Sequence, residues 1–272
     1  MSRFTWPRWM GCLSLALAIA AAVALHLRFQ HAFTHYAHFT GWVLFATMVL
    51  LTAYNGRKKL PFLPLGSSES WLQIHIYAGW FTVVLFLIHL KFRMPTGWLE
   101  GTLTWLYLLV TGSGVVGLII SRKLPKRLAV RKGEVLYESI PALRAALREE
   151  AETLVLGPQA KSSAIAEFYE RVLADFFSGS KNFWPHLFES RRPLHGVMTE
   201  IEELHRYLNE AERAALQPLK ELVRQKDSLD YHYALQTALK LWLFVHLPLT
   251  YSLMIFSLLH IVVVFAFSGG AR

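Results

Sequence analysis

The fold is decided by the stretch WLQIHIYAGWFTVVLFLIHLK, which runs from Trp71 to Lys91. It contains no acidic residue, and its only Lys or Arg is the lysine at its end. A helix of roughly 20 apolar residues, rising about 1.5 Å per residue, crosses the hydrocarbon core of a bilayer. The stretch is therefore predicted to be a transmembrane helix, and it carries two histidines.

Four other stretches have the same apolar character, and the composition of the whole chain agrees with them. Of 272 residues 54% are hydrophobic and 17% charged, and the mean hydropathy is +0.33, which is typical of a membrane protein. The first stretch has the charge pattern of a signal peptide, but we interpret it as a retained helix. We predict an all-α integral membrane bundle of five transmembrane helices with a helical cytoplasmic insert between the fourth and the fifth. The predicted spans are 9–27, 39–55, 71–91, 101–120 and 236–267.

Basic residues are distributed unevenly around these spans. The net charge is +9, from 28 Lys and Arg against 19 Asp and Glu, but 18 of the basic and 17 of the acidic residues lie in 121–235. The excess therefore lies in short loops beside the spans, which argues against a nucleic-acid partner. Eleven basic residues fall on the side of the N-terminus and the insert, and four on the other. Because Lys and Arg near helix ends are retained in the cytoplasm, we expect a multi-pass protein of the cell inner (plasma) membrane with the N-terminus and the insert cytoplasmic and the C-terminus outside.

The chain is predicted to have three parts: spans one to four in 1–120, the insert in 121–235, and the fifth span with the outer C-terminus in 236–272. Within the insert, helices are predicted at about 142–156, 163–177 and 196–215, followed by a break at Pro218. We interpret the insert as a helical cap on the cytoplasmic mouth of the bundle rather than as a catalytic domain.

Four of the twelve histidines lie inside predicted spans: His75 and His89 in the third, His246 and His260 in the fifth. The members of each pair are 14 residues apart. At about 100° and 1.5 Å per residue, the second imidazole lies within about 40° of the first around the helix and about 21 Å along it. The third and fifth spans both start on the cytoplasmic side, so His75 is expected beside His246 and His89 beside His260. Opposed imidazoles at two depths predict the axial ligands of two haem b irons.

Three more residues are candidates for contact with these haems. Gly79 lies four residues after His75 and would let a porphyrin approach the backbone. Arg93 on the outer side and Lys240 on the inner side are placed to compensate the charge of haem propionates, although snorkelling of their ammonium and guanidinium groups towards water explains their positions nearly as well.

Other interpretations of the histidines remain open. Any one of them alone is more often a polar contact between helices than a ligand. Zinc prefers a compact tetrahedral set, whereas these histidines form two couples about 20 Å apart. Cys12, as the single cysteine, excludes a c-type haem attachment within the chain.

His26, His31, His35 and His38 are interpreted as a polar loop region on the outer side, with a metal or docking site as the alternative. The segment GSGVVG at 112–117 lies inside a span and is interpreted as small residues that admit a neighbouring helix or a porphyrin, not as a nucleotide site.

The two His-x13-His patterns, with HIYAG at 75–79 and HLPLT at 246–250, resemble the ferric reductase-like transmembrane domain, a di-haem core shared with NADPH oxidases. The resemblance covers about 39–120 and 236–267. The cytochrome b of quinol:cytochrome c oxidoreductases has a similar ligand geometry. The sequence departs from the first group in its large insert and in having no flavin and nicotinamide domain within its 272 residues.

An iron with two histidine ligands has no open site for a substrate, so single-electron transfer is the expected function. We expect the chain to transfer electrons across the membrane between redox partner subunits or carriers on its two faces, as the membrane subunit of a redox complex. A periplasmic cytochrome c and a quinone are candidate partners, besides membrane lipid. Two alternatives stay open: a self-contained quinol-oxidising or metal-reducing cytochrome, and a non-redox structural or sensory bundle.

Overall fold

The computed structural model describes residues 8–29, 36–59, 67–130, 135–156 and 163–268. Over these ranges the chain is helical, with no strand. The longer helices are α1 (Arg8–Phe29), α2 (Tyr36–Lys59), α3 (Ser68–His89), α4 (Trp98–Val130), α5 (Ile140–Leu156), α9 (Arg192–His205) and α10 (Glu210–Ser268). Between α5 and α9 lie α6 (Ser163–Phe168), a π-helical turn (Tyr169–Leu173), α7 (Ala174–Phe177) and α8 (Phe183–Leu187).

Five of these helices, α1 to α4 and α10, are long and apolar enough to cross a membrane. The all-helical prediction and the number of such helices are therefore confirmed for the described residues. Four of the helices extend beyond the predicted spans at both ends, for example into the charged sequence 122–127 at the end of α4. The exception is α3, which begins before its predicted span but ends at His89, two residues short of the predicted end. Which face of a membrane each end meets stays a prediction.

The chain divides into two compact units, one of residues 1–118 with 243–272 and the other of residues 119–242. In the first unit α3 packs against α1 and α2. Its core is apolar and is formed by side chains of α2, α3, α4 and α10: Leu44, Met48, Leu85, Phe86, Tyr107 and Leu253.

The second unit has a larger core and a buried charged cluster. Leucines, phenylalanines and a tyrosine from α5 to α10 form the main core. Beside it, Lys226 and Asp230 are 0% and 1% exposed and form an ion pair one helical turn apart. Asp230 also accepts from Arg144 Nη1 at 3.3 Å and from the backbone N–H of Lys181 at 3.0 Å. A buried charge is tolerated when it is paired and hydrogen-bonded in this way.

Two of the helix predictions in the insert are wrong. The helix expected at 196–215 is interrupted after His205, because Asn209 and Glu212 form a reciprocal capping box that starts α10: each side chain accepts from the other residue's backbone N–H at 2.9 Å. The break expected at Pro218 does not occur, since this residue lies inside α10. Its ring removes one backbone hydrogen bond, while the flanking Leu216 and Leu219 are completely buried and hold the helix in place.

Candidate functional site

His89 and His260, which we call the outer couple after the side predicted for them, line a cavity in the first unit. His89 is the last residue of α3, and His260 lies two turns before the end of α10; both line a cavity of about 410 Å³. Their imidazoles are close enough for charges on the two rings to interact. The volume falls within the range of about 300 to 1,000 Å³ that is usual for cofactor and small-molecule sites.

The walls of this cavity are mostly apolar and rich in aromatic rings. Phe86 of α3 stacks on Tyr107 of α4 with ring centroids 3.9 Å apart, and the Tyr107 hydroxyl donates to Thr82 Oγ1 at 3.0 Å. Trp42 and Phe45 of α2 form another wall, with their rings edge to face. A flat apolar group would therefore meet complementary surface on several sides.

Charged and polar side chains also line this cavity. Arg93 and Glu100 are both exposed and both contribute to the lining. The Glu100 carboxylate lies against the backbone of Gly97, where any side chain would collide with it. His38 is helical, in the first turn of α2, and also lines the cavity, whereas His31 and His35 lie outside the described residues.

The hydrogen bonds of His89 assign its tautomer. Its Nδ1 lies 3.2 Å from Thr40 Oγ1, and that hydroxyl donates its own proton to the carbonyl of Ala37 at 3.0 Å. Because the hydroxyl proton is already used, Thr40 accepts from Nδ1–H, and the lone pair of the neutral ring is on Nε2. This is the arrangement that orients a metal-binding imidazole: one nitrogen donates to a fixed oxygen, and the other is available to coordinate.

Gly41, next to Thr40, leaves room for the His89 ring. A Cβ at Gly41 would lie 2.9 Å from His89 Cε1, well inside ordinary van der Waals contact. The backbone of α2 therefore approaches the imidazole edge as closely as only glycine allows. Thr40 and Gly41 together set the position of this ring.

The inner couple has the same kind of support. This couple consists of His75 and His246, which were predicted to share the inner side. His75 Nδ1 lies 3.1 Å from the carbonyl oxygen of Leu51, which can only accept, so this ring too carries its proton on Nδ1 and its lone pair on Nε2. His246 Nδ1 lies 3.2 Å from the hydroxyl of Ser113, and its ring edge passes 3.9 Å from where a Cβ of Gly114 would be.

The three accessory candidates, Gly79, Arg93 and Lys240, have different surroundings in the structure. At Gly79 an added Cβ would meet no atom within 4 Å, so space for a ligand exists beside the backbone one turn after His75. Arg93 lines the outer cavity. Lys240 belongs to the second unit, where it pairs with Glu138 at 3.0 Å and covers the ring of Tyr137. The hydrogen bond from the Lys240 ammonium lowers the pKa of the Glu138 carboxyl group, which compensates the charge of this lysine.

Sequence reasoning missed the residues that orient the imidazoles, namely Thr40, Gly41 and the carbonyl of Leu51. A signal existed for Gly41, which is the only glycine in the predicted span 39–55, but Thr40 is one of three threonines there. None existed for a backbone carbonyl. Ser113 and Gly114 fall in the GSGVVG segment that was interpreted as small residues admitting a close neighbour, and that neighbour includes His246.

Among the described residues, no group of three or more His, Cys, Asp or Glu side chains could hold a metal ion. The two couples consist of two imidazoles each. Comparisons of the chain with protein-family models, curated proteins and solved structures find no match.

Proposed function

We propose that this chain is a di-haem b-type cytochrome of the cell inner membrane, which transfers single electrons between redox partners on its two faces. The observation that carries the proposal is the cavity that both His89 and His260 line, with apolar and aromatic walls. The donor set fits, because imidazole nitrogen is a common ligand of haem iron, and His75 with His246 and His89 with His260 would hold the two groups. When bound, such a group supplies one-electron chemistry without an open coordination site.

The chain's own residues would set the position of each ligand. The Leu51 carbonyl and the Thr40 hydroxyl hold the Nδ1 protons of His75 and His89, which leaves the lone pair of each ring on Nε2 and raises the basicity of the ring. Gly41 and Gly79 provide space, the first for the imidazole and the second for the edge of a macrocycle. Arg93 at the outer rim would compensate a carboxylate of the bound group.

Five helices long and apolar enough to cross a bilayer support the membrane location. The orientation we propose, with the N-terminus and the insert cytoplasmic and the C-terminus outside, follows from the eleven basic residues on one side and four on the other. We propose membership of the group that includes the ferric reductase-like transmembrane domain, on the two His-x13-His patterns alone. Partner subunits, a periplasmic cytochrome c and a quinone stay proposals within this function.

Haem content of purified variants tests the ligand assignment. We expect the wild-type chain to carry two haems, and His89→Ala or His260→Ala each to lose the outer haem while the inner one is retained. His75→Ala and His246→Ala should give the reverse loss. His195→Ala is the matched control, because this histidine is exposed on α9. Unchanged haem content in all four variants would refute the assignment.

Electron transfer across a bilayer tests the function itself. Proteoliposomes with ferricyanide trapped inside and a membrane-impermeant reductant outside should reduce the trapped oxidant, and the reaction should stop in His89→Ala and in His75→Ala. If the wild-type chain takes up electrons but never reduces the trapped ferricyanide, the transmembrane role is wrong. Turnover by the chain alone with a quinol and a soluble acceptor would favour the self-contained enzyme instead.

A further inference from the structure

The short helix α8 and the residue that follows it expose two large aromatic side chains. Trp184 is 64% and Phe188 75% exposed, although the His186 side chain between them is buried. The two rings are four residues apart and stack with centroids 6.3 Å apart and an interplanar angle of 18°. They form one continuous apolar surface, which we call the aromatic face of α8. Exposed apolar surface of this kind marks a binding surface.

The backbone around α8 is held in a conformation that presents this face. Asn182 before the helix and Glu189 after it both adopt left-handed geometry, with φ of 60° and 58°. Residues other than glycine take this conformation at a cost in energy, which is tolerated where the surrounding contacts impose it. Arg127 of α4 provides such contacts, since its Nη1 donates to the Leu187 carbonyl at 3.0 Å and its Nε pairs with the Glu189 carboxylate at 2.9 Å.

These contacts place α8 beside the part of the second unit where apolar sequence gives way to charged sequence. Phe183 packs on a cluster that contains Leu124 of α4 and Ala234 and Leu235 of α10. In α4 the apolar run ends at residue 120, and in α10 it begins at residue 236. The helix α8 therefore packs against the parts of α4 and α10 at which these two spans would meet the bilayer surface.

Basic residues surround the same level. Exposed lysines and arginines follow the apolar run of α4 and the end of α8: Arg122, Lys123, Lys126, Arg191 and Arg192. Amphipathic aromatic rings beside Lys and Arg are the pattern of a segment that lies in the headgroup region of an anionic leaflet. We infer that α8 is an interfacial anchor whose Trp184 and Phe188 rings insert among the headgroups of a bilayer containing anionic lipid.

This inference needs the chain to cross a bilayer but does not depend on the haem assignment. The test uses the full chain in vesicles of phosphatidylcholine and phosphatidylglycerol, in a Cys12→Ser background. Trp184→Cys carries a small environment-sensitive fluorophore, and Tyr207→Cys is the matched control, since Tyr207 is 85% exposed in the same unit.

Lipids with a shallow nitroxide on the acyl chain should quench the label at position 184 several-fold more than aqueous iodide does. The label at position 207 should show the opposite preference. Iodide quenching of the label at 184 that equals the quenching at 207, without quenching by the nitroxide lipid, would overturn the inference and leave the face to a protein partner.

A second variant separates this inference from the proposed function. Trp184→Ser combined with Phe188→Ser should leave the haem content unchanged and should make a label at Leu187→Cys several-fold more accessible to iodide. The inference fails if that label's accessibility is unaltered. A colourless protein whose label at 184 is still quenched by lipid would refute the haem assignment alone.

Discussion

Substitution of Gly41 by alanine should displace the outer histidine. The new methyl group would lie 2.9 Å from His89 Cε1, so the two atoms must separate by about 0.5 Å to reach a tolerable contact near 3.4 Å. The ring cannot yield freely, because its Nδ1 is held at 3.2 Å by Thr40. Overpacking of this kind costs roughly 1 to 3 kcal/mol, which corresponds to about 5- to 150-fold weaker binding of the outer haem, at about 1.4 kcal/mol per factor of ten.

The assay is haem titration of the apoprotein, followed by absorption in the visible region, with Gly56→Ala as the control. Gly56 lies in the same helix, and a Cβ there would meet nothing within 4 Å. We expect the control to bind two haems with wild-type affinity, and Gly41→Ala to bind the inner haem normally and the outer one weakly. If Gly41→Ala binds both haems as tightly as Gly56→Ala, His89 is not the ligand that we propose.

Three further predictions concern hydrogen bonds. Thr40→Val removes the acceptor of the His89 Nδ1 proton. It should weaken outer-haem binding about 10- to 100-fold, which is the usual cost of losing a group that orients a metal ligand. Unchanged affinity in the same titration would contradict this prediction. Asp230→Asn leaves the buried ammonium of Lys226 without its counter-ion. It should lower the free energy of unfolding by about 3 to 5 kcal/mol in denaturant titrations. A loss below about 1 kcal/mol, which is the range of surface ion pairs, would show that the charge is compensated elsewhere. Asn209→Ala removes a helix cap worth about 1 kcal/mol, so amide exchange in the first turn of α10 should accelerate about 5-fold; exchange at the wild-type rate would show that the cap contributes nothing.

The sequence predicts the pairing of the four histidines, because that prediction depends only on helix geometry. Fourteen residues bring two side chains to one face of any α-helix, and the direction of each span decides which depths coincide. The cavity could not be derived, since its shape depends on how α2 and α4 pack against α3. Thr40 was not recognised for the same reason, because it lies on α2 whereas the histidine that it orients, His89, lies on α3.

In the insert, the errors came from weighing one signal over another. The Glu202, Glu203 and Arg206 spacing favours a helix through residue 206, but the Asn209–Glu212 capping box starts a new helix three residues later. Pro218 is a helix breaker by propensity, yet burial of Leu216 and Leu219 outweighs the lost hydrogen bond. Lys240 stays a candidate, and its hydrogen bond to Glu138, 102 residues away in the chain, could not be predicted from its place in the sequence.

The central claim is that two imidazole couples each hold an iron porphyrin, and low-temperature electron paramagnetic resonance of the oxidised, purified chain tests it most directly. The account predicts two low-spin ferric signals typical of bis-imidazole ligation, together integrating to two irons per chain, with one signal lost in His89→Ala and the other in His75→Ala. The claim is contradicted if the oxidised, purified chain shows no ferric haem signal. It is also contradicted if both signals survive the two substitutions.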